Sequence, residues 1–209
     1  MNITQGSPEE YLVNKDKLIA KLISILGVSN NINEKINFFD SLTRIIVSQQ
    51  LSNSASKSIL KRIEKLCGKC IFKPEILLGL DDSLLRSCGI SFGKIRTIKG
   101  IANACLKKDI SYSVFKNLND EEILNKLTLY WGIGNWTAEI FMMFSLKRYD
   151  ILPLGDTALQ RAHSILYPKS NSLYKTAENW RPYRAIASKY LWKFIDNPQL
   201  HNLIIKNKT

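Results

Sequence analysis

Apolar residues recur at intervals of three and four along most of the chain, the spacing of one face of an α-helix. The alternating pattern of a half-buried strand is nearly absent. The sequence therefore predicts an all-α fold. The predicted helices run from Pro8 to about Gly27, from Phe38 to the Gln49–Ser52 segment, from Ser54 to just before Gly68, from Lys94 to Leu106, from Asn119 past Leu127, from Asn135 to Arg148, from Asp156 onward, and from Arg181 to Phe194.

Capping signals support several of these starts. Ser7 precedes Pro8 and stands three residues before Glu10, and Asn119 stands three residues before Glu122. A polar N-cap with a glutamate at the third helical position satisfies two backbone N–H groups reciprocally. Asp82 and Ser83 predict the start of one more short helix.

The helices predict two lobes with a cleft between them, since no low-complexity linker or internal repeat interrupts the chain. We expect a terminal lobe of residues 1–37 with 165–209. A central lobe would span residues 38–164 and hold a hairpin at 127–148 and the loop that carries Asp156. Ligand sites favour such clefts.

Charge narrows the class of partner. The 209 residues include 30 Lys and Arg against 18 Asp and Glu, which gives a net charge of +12, and 45% of the residues are apolar. The chain can bury a core, and the excess of positive charge favours a polyanion such as nucleic acid. No apolar run approaches a membrane span, so we expect no membrane partner and a cytoplasmic or nuclear location.

The cysteines and histidines of the sequence give little support for a metal site or for a reactive thiol. The cysteines are Cys67, Cys70, Cys88 and Cys105, and no second Cys pair at zinc spacing accompanies the single C-x-x-C, so we expect reduced core thiols. With only two histidines, His163 and His201, a multi-histidine metal centre is excluded. We expect His163 to be structural or solvent-exposed.

The segment from Leu127 to Ala138 is a helix end, a Gly132-Ile133-Gly134 turn and a new helix start. The free N–H groups of the second helix would form a phosphate site, and a β-branched residue at Gly134 would strain the turn. An ordinary helix–helix connection has the same pattern. Asp156 follows after one helix and a return loop, and a lone aspartate at a helix start is most often an N-cap.

Four segments in order carry a family resemblance. They are Ser48–Ser52 (SQQLS), Leu85–Lys94, Gly132–Ala138 (GIGNWTA), and Trp180–Trp192. The chain resembles the helix-hairpin-helix DNA glycosylase superfamily, most closely its 3-methyladenine DNA glycosylase II branch, in a compact form without the N-terminal β-rich domain of larger members.

The resemblance implies roles for individual residues. Asp156 would be the catalytic carboxylate, Trp136 would line the base pocket, and Gln49 and Gln50 would lie at the gap left by the flipped nucleotide. Some relatives have a leucine at the position of Gln50. The remaining implied residues are the DNA-binding Gly132, Gly134, Trp136, Thr137 and Lys94, and the backbone carbonyls of Thr128, Tyr130 and Ile133, which would hold Na⁺ or K⁺.

The same resemblance sets the reaction. Relatives that also cleave the strand have a lysine where this chain has Trp136, so we expect a monofunctional enzyme that hydrolyses the N-glycosidic bond of alkylated purines. No cysteine follows Cys105, so we expect no iron–sulfur cluster and no required cofactor. The expected partner is double-stranded DNA with alkylated bases, bound by a monomer.

Two alternatives remain: a non-catalytic hairpin that only binds DNA, and a bifunctional glycosylase/lyase, which Trp136 disfavours. We expect Trp131 and Trp192 to be core aromatics. Tyr183 and Arg184 are expected to serve packing and surface charge.

Overall fold

The computed structural model describes residues 6–28, 37–69 and 71–205, and no strand occurs among them. The predicted all-α fold is confirmed. The helices are α1 (Pro8–Lys15), α2 (Lys17–Leu26), α3 (Phe38–Ser48), α4 (Asn53–Cys67), α5 (Pro74–Gly79), α6 (Asp82–Ser87), α7 (Phe92–Leu106), α8 (Tyr112–Phe115), α9 (Asp120–Thr128), α10 (Asn135–Phe144), α11 (Thr157–Leu166), α12 (Leu173–Ala177), α13 (Arg184–Ile195) and α14 (Pro198–Ile205), with a 3₁₀ turn at Glu178–Trp180.

Both predicted N-cap residues cap their helices, but in α1 the Glu10 carboxylate accepts a hydrogen bond from the Gly6 N–H and not the reciprocal one predicted from Ser7. The Ser7 side chain accepts a hydrogen bond from the Glu10 N–H at 3.2 Å. Asn119 and Glu122 form both bonds of a capping box at the start of α9. Each cap satisfies N–H groups that a helix start would otherwise leave without partners.

The first predicted helix is instead two helices. Asp16 has extended φ and ψ, and its Oδ1 accepts hydrogen bonds from the N–H groups of Leu18 and Ile19. Asp16 therefore ends α1 and caps α2. Helix α10 ends at Phe144 rather than Arg148, and Lys147 beyond it has a positive φ of 56°. The short helices α5, α8, α12 and α14 were not predicted.

The chain divides into two units. One, here the terminal unit, combines residues 1–33 and 148–209, and the other, the central unit, is residues 34–147. Residues 148–164 were expected in the central lobe but group with the terminal unit. The physical reason is that α11 packs against α13, so the segment leading to α11 shares their core.

The core of the terminal unit surrounds Trp180, Tyr190 and Phe194, all with no exposed surface. Asp16 ties this core together, because its Oδ2 accepts hydrogen bonds from the Tyr167 hydroxyl and the Trp180 indole, both at 2.8 Å. A half-buried carboxylate with several donors is well satisfied.

In the central unit, α3 packs against α4, α7 and α10. Phe38 at its start meets the rings of Phe115 and Phe141, at centroid distances of 5.4 and 4.9 Å. Helix α3 therefore fixes α7 and α10, which carry most of the site described below.

Of the described cysteines, Cys88 is buried as predicted for a core thiol, whereas Cys67 and Cys105 are half-buried. Cys67, Cys88 and Cys105 are free, and burial raises the pKa of Cys105 to about 12; Cys70 lies outside the described residues. His163 is buried, stacks on Tyr167 and hydrogen-bonds the Thr176 hydroxyl at 2.8 Å, a structural role. None of the described helices is both long and apolar enough to span a membrane.

Candidate functional site

The predicted hairpin consists of α9, a turn and α10. Gly134 is the N-cap residue of α10 and has no side chain with which to cap the helix. The N–H groups of the first helical turn point toward the N-terminal end, which is the arrangement that binds a phosphate at a helix start.

The two glycines of the turn differ in what they require. Gly132 has a φ of +80°, and a Cβ there would lie 2.0 Å from the Oγ1 atom of Thr97 in α7. Gly134 has an ordinary φ of −93° and nothing within 4 Å of a built Cβ. The prediction that a β-branched residue would strain Gly134 is therefore wrong. The requirement for glycine falls on Gly132, because α7 packs directly beneath it.

Gln49 connects the end of α3 to the hairpin through two hydrogen bonds. Its Nε2 donates to the Gly132 carbonyl at 3.2 Å and to the Thr137 hydroxyl at 2.7 Å. The end of α3 is thus tied to both the turn and the first turn of α10. Gln50 has a positive φ of 55° and is exposed. Of the two glutamines, Gln50 presents its side chain to solvent while the Gln49 amide is engaged.

Lys94 caps the end of α3. Its Nζ donates to the carbonyls of Val47 and Gln49 at 2.8 and 2.7 Å. Burial lowers the pKa of Lys94, but the two carbonyls at the negative end of the helix favour its charged form. The Lys94 ammonium is therefore hydrogen-bonded to two carbonyls within the protein. The DNA contact predicted for Lys94 stays a prediction.

Trp136 lies in the first turn of α10 and is half-buried. Glu139 follows three residues later, on the same side of the helix, and is also half-buried. Burial raises the pKa of Glu139 to about 7. No ion pair or hydrogen bond joins its carboxyl to another described residue. Glu139 was not predicted, because its only signal in the sequence is a single charge on a largely apolar helix.

Asp156 is the N-cap residue of α11. Its Oδ1 accepts the Leu159 N–H at 2.7 Å and the Trp192 indole N–H at 2.9 Å. The N-cap interpretation of Asp156 is thus correct as geometry, and it fixes the carboxylate. Trp192 is half-buried rather than a closed core residue, and its role in orienting Asp156 was not predicted.

The loop before Asp156 is itself anchored. Arg184 donates from Nε to Asp150 Oδ1 at 2.7 Å and from Nη2 to the Asp150 carbonyl at 2.6 Å. The Ala185 N–H donates to the Tyr149 carbonyl at 2.9 Å. The start of α13 therefore holds the loop, and Arg184 is an ion-pair residue rather than a surface charge. Tyr183 packs edge-on against Tyr11, as expected of a packing residue.

The three residues predicted to hold a monovalent cation lie where α9 ends and the turn begins. Thr128 is the last residue of α9, so its carbonyl is beyond the intrahelical ladder. The Tyr130 carbonyl accepts the Ile133 N–H at 3.0 Å and retains a second lone pair. Carbonyl oxygens are suitable ligands for Na⁺ and K⁺, so the donor set fits. The described residues contain no His, Cys, Asp and Glu cluster that could hold another metal ion.

Trp131 departs from the prediction, because 54% of its surface is exposed. It precedes Gly132 in the turn, and the Arg96 guanidinium lies over its ring at 4.5 Å from the centroid. Trp131 is therefore a surface residue of the hairpin and not a core aromatic.

Comparisons with known proteins identify the family of the chain. Residues 43–182 match the profile of HhH-GPD superfamily base excision DNA repair proteins. The chain is 31% identical over 194 residues to DNA-3-methyladenine glycosylase 1 of Schizosaccharomyces pombe, across 88% of this chain and 85% of that protein. A crystal structure of a DNA-3-methyladenine glycosidase from Bacillus halodurans is 36% identical with a TM-score of 0.76, and the match covers 93% of each chain.

A Schizosaccharomyces pombe 3-methyladenine DNA glycosylase solved in complex with abasic DNA is 30% identical, with a TM-score of 0.82 over 91% of this chain and 97% of that one. The superfamily and branch predicted from the resemblance of the four segments are confirmed. The chain belongs to the HhH-GPD superfamily of base excision DNA repair proteins.

Proposed function

We propose that the protein is a monofunctional DNA glycosylase that excises alkylated purines, with Asp156 as its catalytic carboxylate. The observation that carries this proposal is the anchoring of Asp156, whose Oδ1 is held by the α11 backbone and by Trp192. The relatives named as 3-methyladenine glycosylases support the substrate class.

The chemistry needs a fixed negative charge. As the N-glycosidic bond breaks, the sugar develops an oxocarbenium-like positive charge, which a positioned carboxylate stabilises. Both hydrogen bonds to Oδ1 come from N–H donors, which hold this oxygen in a fixed position. An N3- or N7-alkylated purine is already cationic and leaves readily, so no strong general acid is required.

DNA binding falls to the hairpin. The target base must leave the stack before it can react, and unstacking is least costly for damaged pairs. The α10 N-terminus would hold a backbone phosphate. Gln50, which is exposed and has a left-handed backbone conformation, would fill the gap left by the flipped nucleotide. Trp136 would line the base pocket, and its indole attracts a cationic base more strongly than a neutral one.

The carbonyls of Thr128, Tyr130 and Ile133 would hold a monovalent cation, which supplies positive charge toward a DNA phosphate when bound. The other DNA contacts proposed from the family are those of Gly132, Thr137 and Lys94. We propose no further cofactor, no iron–sulfur cluster, a monomeric protein, and double-stranded DNA with alkylated bases as its partner.

The test is release of bases from methylated duplex DNA, measured by chromatography in single-turnover experiments. The unchanged protein should release 3-methyladenine or 7-methylguanine. Asp156→Asn should retain the fold, since asparagine is an equally good N-cap, and lose about two orders of magnitude in rate. Asp81→Asn, the same change at an exposed N-cap of α6 without a side-chain cap bond, is the matched control.

A second variant tests the positioning of the carboxylate. Trp192→Phe keeps a ring but removes the indole donor to Oδ1, and the saturated rate should fall about tenfold. Thermal unfolding and duplex affinity should change little. If Asp156→Asn works within a few-fold of the unchanged protein, Asp156 is not catalytic. If the unchanged protein binds duplex but releases no base, it is a DNA-binding module.

A further inference from the structure

Two exposed aromatic residues of the central unit each form a cation–π contact with an arginine. Trp131 is 54% exposed with the Arg96 guanidinium 4.5 Å from its ring centroid. Phe92 is 64% exposed, with Arg86 at 5.5 Å. In each pair both the ring and the guanidinium are exposed, so a partner can contact either of them.

The Trp131 ring is held in place by α7. A Cβ at Gly93 would lie 3.3 Å from the Trp131 ring, so this glycine leaves room for the indole. Arg96 lies one turn later on α7, and Thr97 beside it packs beneath Gly132. Helix α7 thus supports the indole from below while Arg96 lies over it. The Arg96–Trp131 stack is therefore one of the contacts between α7 and the turn of the hairpin.

The stack leaves the guanidinium's hydrogen bonds available. A cation–π contact uses the face of the planar guanidinium, whereas its N–H donors point outward in the plane. Neither Arg96 nor Arg86 forms an ion pair with a carboxylate in the described part of the chain, although Arg86 Nη1 donates to the Ile90 carbonyl at 3.1 Å. An arginine oriented by an indole and lacking a carboxylate is arranged to take a phosphate in a bidentate contact.

We propose that Arg96, oriented by Trp131, is a second phosphate-binding element, which contacts the same DNA strand that the α10 terminus holds. This inference rests on the proposed function. Trp131 immediately precedes Gly132 and lies three residues before the N-cap Gly134, so the stack adjoins the first phosphate site along the chain. The net charge of +12 favours a polyanion such as DNA as the partner of Arg96, rather than the less densely charged surface of another protein.

The test is fluorescence anisotropy with an undamaged duplex across a range of salt concentrations. Arg96→Gln removes the charge and should weaken binding about tenfold, and it should reduce the slope of log K against log salt by about one. The matched control is Lys116→Gln, which removes one positive charge from an exposed residue of the same unit that no aromatic ring orients. It should lose much less affinity.

Trp131→Leu separates positioning from charge. It keeps the Arg96 charge but loses the platform, so affinity should fall while the salt slope stays near that of the unchanged protein. The double variant Arg96→Gln/Trp131→Leu should bind no more weakly than Arg96→Gln alone. Trp131→Tyr, which restores a ring, should recover much of the affinity.

Equal losses in Arg96→Gln and Lys116→Gln, or multiplied losses in the double variant, would overturn the proposal. Arg96 is exposed, so its variant should fold, and thermal unfolding checks this. Undamaged duplex binding does not depend on catalysis. An inactive unchanged protein therefore counts against the glycosylase proposal, while the Arg96 comparison still reports on the phosphate contact.

Discussion

Replacing Gly132 by alanine should destabilise the hairpin through two separate effects. The residue has a φ of +80°, a conformation that costs an L-residue about 1–2 kcal/mol. The new Cβ would also lie 2.0 Å from Thr97 Oγ1, 3.0 Å from Cγ2 and 3.1 Å from Cβ. Overpacking of this kind costs about 1–3 kcal/mol, so the free energy of unfolding should fall by about 2–5 kcal/mol.

Thr97→Ala allows the two effects to be separated. This substitution removes Oγ1 and Cγ2, so only the Thr97 Cβ contact at 3.1 Å remains. It also loses the hydrogen bond from Thr97 Oγ1 to the Gly93 carbonyl, at a cost of about 1 kcal/mol. The double variant should therefore recover about 1–3 kcal/mol relative to the sum of the single changes, while the backbone cost remains.

Gly134→Val is the matched comparison. Its φ is ordinary and its Cβ meets nothing, so only the poorer N-cap preference of valine should lower stability, by about 1 kcal/mol. Duplex affinity should nevertheless fall, because the new side chain would occupy the space in front of the α10 N–H groups. Urea unfolding followed by tryptophan fluorescence measures the first quantity and anisotropy the second. A Gly132→Ala protein as stable as the original, or an absence of coupling to Thr97, would refute the packing explanation.

Three further outcomes are expected. Trp136→Ala should reduce excision of cationic 3-methyladenine more than that of a neutral base such as hypoxanthine, and equal losses would show that the indole only fills space. Product DNA should contain intact abasic sites, and borohydride should trap no protein–DNA adduct, since position 136 offers no amine. Burial raises the pKa of Glu139 to about 7, so the folded protein favours the protonated carboxyl. The free energy of unfolding should therefore fall as the pH rises from about 4.5 through 7. Glu139→Gln should therefore raise stability by about 1 kcal/mol at pH 8, after allowance for solvent screening, and change it little at pH 4, as thermal unfolding at the two pH values would show.

Features set by neighbouring residues were predictable from the sequence. The starts of α1 and α9 follow from Ser7 and Asn119, whose side chains bond N–H groups three residues away. The hairpin and the start of α11 follow likewise from short local patterns. Such signals need no knowledge of the tertiary structure, since donor and acceptor are close in sequence.

Features set by distant residues were not predictable. Asp16 breaks the first predicted helix because its carboxylate is also needed by Tyr167 and Trp180, which are 151 and 164 residues away. Trp192 orients Asp156 from 36 residues away. A hydrophobic pattern indicates that a tryptophan is large and apolar, but it does not indicate which tryptophan will be needed for its N–H donor.

The same limit explains why the supporting role of α7 escaped prediction. Along a little more than one turn, Gly93 admits the Trp131 ring, Lys94 caps α3, and Arg96 and Thr97 meet the hairpin turn. Each of these contacts fixes a group that the proposed mechanism places against DNA. Because one rigid helix supports all of them, a change in α7 should alter DNA affinity without contacting the base. Gly132 and Thr97 must therefore be considered as a pair, since the turn can approach α7 only where the first lacks a side chain and the second has a small one.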